Sequence, residues 1–284
     1  MNLLVLGGRG MAGHMIAEYF RNQTDYTVKY TTRNKHDGEY FDAMQPESIN
    51  EIIERNRPDY VINAIGILNE HAEKNKMEAI MVNSFLPHYL AKVLDQKGGT
   101  LIHISTDCVF SGTESGKNPP KPREGRYHEH DMPDGYTVYA RTKALGEIHS
   151  KRHVTLRTSI IGPELKDDGI GLFHWFMKQK GMVNGYTNVY WNGVTTLELA
   201  KVIHELIKQN ARGLYHITAP EIISKHDLLI LIRKIFNKND VDIQPYPAIV
   251  LNRTLKNTRK DLKLEIPSYP VMIQELYDWM EKYG

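Results

Sequence analysis

"NLLVLGGRGMAG" occupies residues 2–13: an apolar run breaks into glycines and leads directly into the amphipathic stretch "GHMIAEYFRN" (13–22). Gly7, Gly10 and Gly13 stand three apart. A buried strand, a tight glycine turn and a helix in immediate succession form the phosphate-cradling start of a dinucleotide-binding βαβ unit. The first glycine serves the turn, the second lets backbone approach a pyrophosphate, and the third lets helix and strand pack closely. Arg9 and Met11 line the same loop and join the three glycines as candidate cofactor contacts.

Working outward, strand-like and helix-like runs alternate. "TVKYT" (27–31), a helix near 46–56, "DYVINAIG" (59–66), a long helix near 76–96 and "TLIHIST" (100–106) follow in order. After a polar loop at 111–135 come a helix from about Tyr136 to Ser150 and "HVTLRTS" (153–159). Apolar strands separated by helices predict an α/β fold, a Rossmann-type doubly wound parallel sheet buried on both faces. Beyond Gly162 the rhythm changes: a helix near 170–180, "NVYW", a helix at 195–209, "GLYHIT", a helix at 225–236, a Pro- and Lys-rich stretch, and a last helix at 271–282. The expected organisation is a dinucleotide domain at 1–162 and a smaller mixed α/β substrate lobe at 163–284. Some of the lobe's elements are expected to return to the first domain.

The end of the second strand reads "YTTRN" (30–34), with Arg33 where an NAD site usually carries an acid. A basic residue there suits a 2′-phosphate, so NADPH is favoured and NADH is the alternative. Asp42 in "YFDAM" is placed to accept from an adenine amino group. Ala64 and Gly66 in "NAIG" (63–66) would run beside the cofactor.

"HISTDCVFSG" (103–112) ends a parallel strand at the edge where open α/β sheets hold ligands, so Thr106 and Asp107 sit at the crevice mouth. The next helix carries "YARTK" (139–143). Of sixteen tyrosines, only Tyr139 has a lysine four residues on, so Tyr139 and Lys143 share one helical face. A phenol titrates near ~10, and a neighbouring ammonium favours its ionised form. Carbonyl reduction needs a hydride donor and a proton donor. Tyr139 would supply the proton, Lys143 would tune it and hold a nicotinamide ribose, and Thr106 would bond the carbonyl oxygen.

Composition narrows the field. In 284 residues, 36 Lys and Arg against 34 Asp and Glu leave a net charge of +2, which disfavours a nucleic-acid partner. The single cysteine, Cys108, forms no intrachain disulfide and reads as a buried, inert thiol; a reducing, cytoplasmic location follows. The opening apolar run is too short for a signal peptide, and no window predicts a membrane span. Thirteen histidines are scattered without metal-ligand spacing, and His128 and His130 read as solvated loop residues, so no metal is expected.

With "GGRGMAG", "RPDYVINAIG" (57–66), "VNSFLPHYLAKVL" (82–94), "ISTDCVFSG" (104–112), "YARTKALGE" (139–147), "LRTSIIG" (156–162), "WNGVTTLELA" (191–200) and "GLYHIT" (213–218), the chain resembles the extended short-chain dehydrogenase/reductases. Within them it is most similar to dTDP-4-dehydrorhamnose reductase and related nucleotide-sugar 4-ketoreductases. The resemblance implies NAD(P)H-dependent reduction of the C4 ketone of a nucleoside-diphosphate 4-keto-6-deoxy sugar. Thr106, Tyr139 and Lys143 match the family's catalytic trio, Asp107 its acid beside the substrate, and Arg253 in "NRTLKNTRK" (252–260) a late basic position facing the substrate.

Three departures concern the substrate: the long loop containing "GKNPPKPREGRYHEHD", Ile160 where the rhamnose enzyme has an aromatic, and "VYWNGVTT" (189–196) in place of a "DQxGxPT"-like segment. They leave a UDP-4-keto-6-deoxy-HexNAc and dTDP-4-dehydrorhamnose as equal candidates. The same resemblance leaves open an epimerase of the superfamily, which retains its NAD, and a non-catalytic dinucleotide-binding subunit like that of methionine adenosyltransferase. Cys108 following Asp107 disfavours a dehydratase, which places an acid there. A homodimer is left open.

Overall fold

A computed structural model describes residues 1–34, 36–113 and 123–284. The chain runs β1 (Asn2–Leu6), α1 (Met11–Gln23), β2 (Thr27–Thr32), β3 (Glu39–Tyr40), α2 (Pro46–Asn56), β4 (Tyr60–Asn63), α3 (Asn69–Lys74), α4 (Lys76–Ala79), a π-helical turn (Ile80–Phe85), α5 (Leu86–Lys97), β5 (Thr100–Ile104), α6 (Val138–Leu145) and β6 (Val154–Arg157). It continues through β7 (Ile160–Ile161), α7 (Leu172–Lys178), β8 (Gly181–Trp191), β9 (Val194–Thr195), α8 (Thr196–Lys208), β10 (Gly213–His216), β11 (Ile223–Ser224), α9 (Lys225–Ile235), β12 (Val241–Asn252) and α10 (Tyr269–Tyr283).

Seven parallel strands in the order β10-β6-β5-β4-β1-β2-β3 form the main sheet. The order reverses at β1, where doubly wound folds open a crevice at the carboxyl ends of their strands. Alternation along β1 serves both faces. Leu3 and Val5 meet Ile16, Phe20, Leu199 and Ile203 of α1 and α8, whereas Leu4 and Leu6 meet Ile49, Ile53, Leu90 and Leu94 of α2 and α5. Each such fully buried apolar side chain contributes about 1.5–3 kcal/mol relative to exposure. The last strand, β10, comes from beyond Gly162 and pairs with β6 from Gly213↔Val154 to His216↔Arg157, so the later region does contribute an element to the first sheet.

Four sequence expectations need correction. The long helix near 76–96 is two helices joined by the π-helical turn, a wide turn of the kind often found at functional sites. The helix expected to end at Ser150 stops at Leu145: Gly146 donates to the carbonyls of Thr142 and Lys143, and a Cβ there would lie 1.9 Å from the Asn83 carbonyl oxygen. The strand read as "NVYW" begins seven residues earlier, at Gly181. The Pro- and Lys-rich stretch contains β12, which pairs with β8 in a second sheet of order β11-β8-β12. Pro245 and Pro247 are tolerated because β12 is an edge strand, and its register shifts between Tyr246 and Val250.

Of the loop singled out in the sequence, residues 114–122 lie outside the described residues. His128 and His130 are exposed as expected, but Glu129 between them is buried. Among the described residues no helix is long and apolar enough to cross a membrane, and no group of three His, Cys, Asp or Glu side chains is placed to hold a metal.

Candidate active site

The glycine turn is held from both sides. Gly7 takes φ +82°, a conformation that favours glycine, and its N–H donates to Thr31 Oγ1 at 3.0 Å. A Cβ on Gly13 would lie 2.1 Å from the Gly7 carbonyl oxygen, so the third glycine is required for helix–strand contact. Gly10 is exposed at the N-cap of α1, which lacks a side-chain cap, leaving the helix N-terminus open to the crevice. An uncapped N-terminus behind a glycine turn fits an anionic pyrophosphate. Met11 follows as the first, half-buried residue of the helix.

Around the second strand the geometry is more specific than the sequence suggested. Arg9 is ion-paired to Asp37 at 2.6 Å, and the Tyr30 hydroxyl donates to the same carboxylate. These two hydrogen bonds, Tyr30's first, hold the Asp37 carboxyl below its ordinary value. Arg33 is exposed. Asp42 is occupied in building a turn: its carboxylate accepts from the Met44 N–H at 3.0 Å and from Gln45 Nε2 at 2.9 Å. Ala64 follows β4 and donates to the Leu6 carbonyl, and Gly66 has no close neighbour that would demand a glycine.

The π-helical turn fastens this edge to α6. Asn83 Oδ1 accepts from the Ile67 N–H at 2.8 Å, while its Nδ2 donates to the Ile67 carbonyl and to Thr142 Oγ1. Ser84 Oγ donates to the Thr142 carbonyl at 2.8 Å. Sequence reading missed both residues. "VNSF" looks like ordinary helix, and only the wide turn aims two polar side chains at one neighbour.

Thr137 caps α6 by accepting from the Ala140 N–H, and the helix presents Tyr139 and Lys143 toward the end of β5. The Thr106 hydroxyl stands beside the Tyr139 phenol and favours its ionised form. Burial outweighs it, and the nearby Cys108 and Asp107 act in the same direction as burial, so Tyr139 is raised above the ordinary tyrosine value. The expected lowering by Lys143 is not what this arrangement produces. Lys143 Nζ instead donates to the Ile104 carbonyl at 2.7 Å and lies 3.4 Å from Nε2 of the buried His103. Burial brings Lys143 down to about 8 despite Glu147.

A buried network lies behind these groups. Glu147 accepts from Ser105 Oγ at 2.7 Å and pairs with Arg157, which also reaches the Glu129 carbonyl. His216 is brought down to about 4 by burial and is neutral at pH 7. Its Nδ1 lies 3.2 Å from the Lys256 carbonyl and its Nε2 3.4 Å from Arg157 NH1. Only the Nδ1–H tautomer satisfies both contacts.

On the open side, Asp107 receives the Thr106 hydroxyl at 3.2 Å, and burial raises its carboxyl against the influence of Arg253 and Lys225. Arg253 NH1 lies 3.4 Å from Cys108 Sγ. Cys108 is half-buried and its thiol is pushed up to about 12, chiefly by burial, which matches an inert thiol. Gly112, at φ +77°, leaves room for the Arg253 side chain, whose Cγ would lie 2.7 Å from a Cβ there. Of the other basic residues of "NRTLKNTRK", Arg259 is turned away to Asp261 and the Tyr215 ring. Thr106, Asp107, Tyr139 and Arg253 are therefore brought together, with Lys143 behind them on the same helix.

Residues 1–260 match the RmlD substrate binding domain. The chain belongs to that family. Among the proteins to which it is similar, the dTDP-4-keto-6-deoxy-D-glucose reductase of Streptomyces niveus is 25% identical over 262 residues, covering 86% of this chain and 82% of its own. Methionine adenosyltransferase 2 subunit beta of Danio rerio is 24% identical over 251 residues, covering 83% of this chain and 74% of its own. The crystal structure of dTDP-4-dehydrorhamnose reductase from Bacillus anthracis in complex with NADP superposes over 98% of both chains with a TM-score of 0.82 at 19% identity. That likeness shows the Rossmann-type architecture of this chain.

Proposed function

We propose that this chain is an NADPH-dependent oxidoreductase that reduces the C4 ketone of a nucleoside-diphosphate 4-keto-6-deoxy sugar, as a step toward cell-surface polysaccharide precursors. The observation that carries the reading is the Tyr139 phenol beside Thr106 and Asp107, on the helix that holds Lys143, in a chain of the RmlD substrate binding domain family whose relatives include dTDP-sugar reductases. The reductase names of the relatives favour a dTDP sugar, and a UDP-linked N-acetylamino sugar is the second candidate.

Gly7, Arg9, Gly10, Met11, Gly13, Arg33, Asp42, Ala64 and Gly66 would hold the dinucleotide, with its pyrophosphate at the α1 N-terminus. Bound NADPH supplies the hydride. Thr106 turns its single hydroxyl proton from Asp107 to the ketone oxygen as negative charge grows there, and the protonated Tyr139 delivers its proton to that oxygen. Lys143 would orient the nicotinamide ribose through its ammonium. Asp107 accepts from a sugar hydroxyl, and Arg253 takes a phosphate oxygen. In this reading residues 163–284 form the substrate lobe, with Arg253 its contribution to the site.

Consumption of NADPH with freshly generated dTDP- and UDP-4-keto-6-deoxy sugars tests the proposal. Turnover with one series, abolished in Tyr139→Phe, supports it and names the nucleotide. The likeness to methionine adenosyltransferase subunit beta favours one other reading, a regulatory subunit. Tight NADPH binding without turnover of any keto sugar would select that one.

A further inference from the structure

Lys225 opens α9 immediately after its N-cap, Ser224. Its ammonium stands 4.5 Å from the centre of the Trp191 ring. The ring is itself fixed: it is 3% exposed and stacks on Tyr269 with centroids 5.5 Å apart. Lys225 is half-buried, and among the described residues it has no hydrogen bond and no ion pair. Other buried and half-buried cations are committed differently. Lys201 is bound to Glu275, Lys238 to Asp240, and Arg157 to Glu147.

Arg253 shares this open state. Its Nε is buried without a partner, and its NH1 contact is to a thiol. The pairings Ser224↔Tyr190 and Asn252↔Tyr190 bring Lys225 and Arg253, each one residue further on, to the same end of the second sheet on either side of Trp191. Removing a cation from water without pairing it is costly, so two such groups brought together there indicate a site shaped for an anion. Tyr139 feels Cys108, Asp107 and Arg253, while Lys225 acts on Asp107 and Cys108. Arg253 and Lys225 both act on Asp107, so two cations face one carboxylate. Asp107 can serve sugar hydroxyls, and the two cations acting on it remain for a group of two negative charges.

We propose that Lys225, held on the Trp191 ring, is a substrate-binding residue of this chain that pairs with Arg253 to grip the diphosphate of the nucleotide sugar. The inference rests on the nucleotide-sugar reading above and adds a residue that the sequence motifs did not single out. It also assigns a role to one departure noted in the sequence, since Trp191 belongs to the "VYWNGVTT" segment. Lysine acts here as a point charge and the aromatic ring as its support.

The test uses calorimetric titration of the full-length protein with free dTDP and UDP, which carry the diphosphate but no sugar. Lys225→Gln is expected to weaken binding of the preferred nucleotide about tenfold to a hundredfold, the value of one charge-assisted hydrogen bond. Lys225→Arg is expected to keep most of it, and NADPH affinity is expected to stay unchanged in both variants. Were Lys225 only neutralising Asp107, the double variant Asp107→Asn/Lys225→Gln would bind the nucleotide like wild type; binding is expected to remain weak. Wild-type affinity in Lys225→Gln, or rescue in the double variant, overturns the proposal while leaving the reductase reading intact. Wild-type protein that binds neither nucleotide overturns both.

Discussion

Glu147 accepts from Arg157 Nε at 2.8 Å and from Arg157 NH2 at 2.7 Å, with the two side chains 1% and 2% exposed. The pair joins the segment just after α6 to β6, and through Ser105 it reaches the residue before Thr106. Removing one partner of such a pair leaves a buried charge alone. Glu147→Gln is therefore expected to cost about 3–5 kcal/mol and to lower the melting temperature by roughly 10 °C. The apolar double variant Glu147→Leu/Arg157→Met should melt higher than Glu147→Gln, because it buries no unpaired charge. Thermal denaturation of the three proteins checks this ordering.

The alkaline side of the pH–rate profile should belong to Lys143. Burial raises the Tyr139 phenol, which stays protonated through neutral pH, whereas Lys143 is brought down to about 8. The turnover number at saturating substrate is expected to fall as pH rises through about 8. Stability should move the other way. Between about 8 and the ordinary lysine value of 10.5 the unfolded chain binds a proton that the folded chain does not, so this group's contribution to stability rises with pH there. A profile flat to pH 10 would remove Lys143 from the proton economy of the site.

Acid should loosen the link between β10 and the C-terminal segment. Folded His216 titrates at about 4 because it is buried, and its unfolded value is 6.5. Between those values unfolding takes up a proton, so stability falls as pH drops. Glu129 reinforces the trend. Its carboxylate accepts from the His216 and Thr258 backbone N–H groups, and its carboxyl is held below the ordinary value, so its contribution is also lost on acidification. His216→Gln should flatten the pH dependence of the urea midpoint between 4 and 6.5.

Gly13→Ala tests the cofactor turn. The added methyl carbon would start 2.1 Å from the Gly7 carbonyl oxygen and 2.8 Å from its carbon, both backbone atoms that cannot rotate aside. The expected result is a loss of NADPH affinity of at least about tenfold with a lowered melting temperature, since the helix must move off the strand. Nucleotide fluorescence titration measures the first effect independently of turnover.

The main sheet was legible because its strands are buried on both faces and its glycine turn has a steric demand at Gly7 and Gly13 that only those residues meet. Helix ends were less so. Nothing local in "YARTKALGEIHS" announces that α6 stops at Leu145; the stop comes from Gly146 meeting Asn83, sixty-three residues earlier in the chain. The edge strand β12 was hidden by prolines that only an edge position tolerates. In the site, Thr106, Asp107, Tyr139 and Arg253 could be named from motifs, whereas Asp37, Asn83 and Lys225 could not. Each of these depends on a distant partner: Arg9, Thr142 and Trp191. The orientation of Lys143 toward Ile104 is likewise a property of packing, since helical spacing alone places it on the face of Tyr139.

The most direct measurement is transfer of deuterium from NADPH labelled at the nicotinamide C4 to the sugar, followed by proton NMR of the product. The account predicts one deuterium at the sugar's C4, in stoichiometric amount with NADP formed, and none with Tyr139→Phe. A product changed in configuration but free of label would instead show an epimerase that cycles its own nicotinamide. No product from either nucleotide series, despite bound NADPH, would contradict reduction outright.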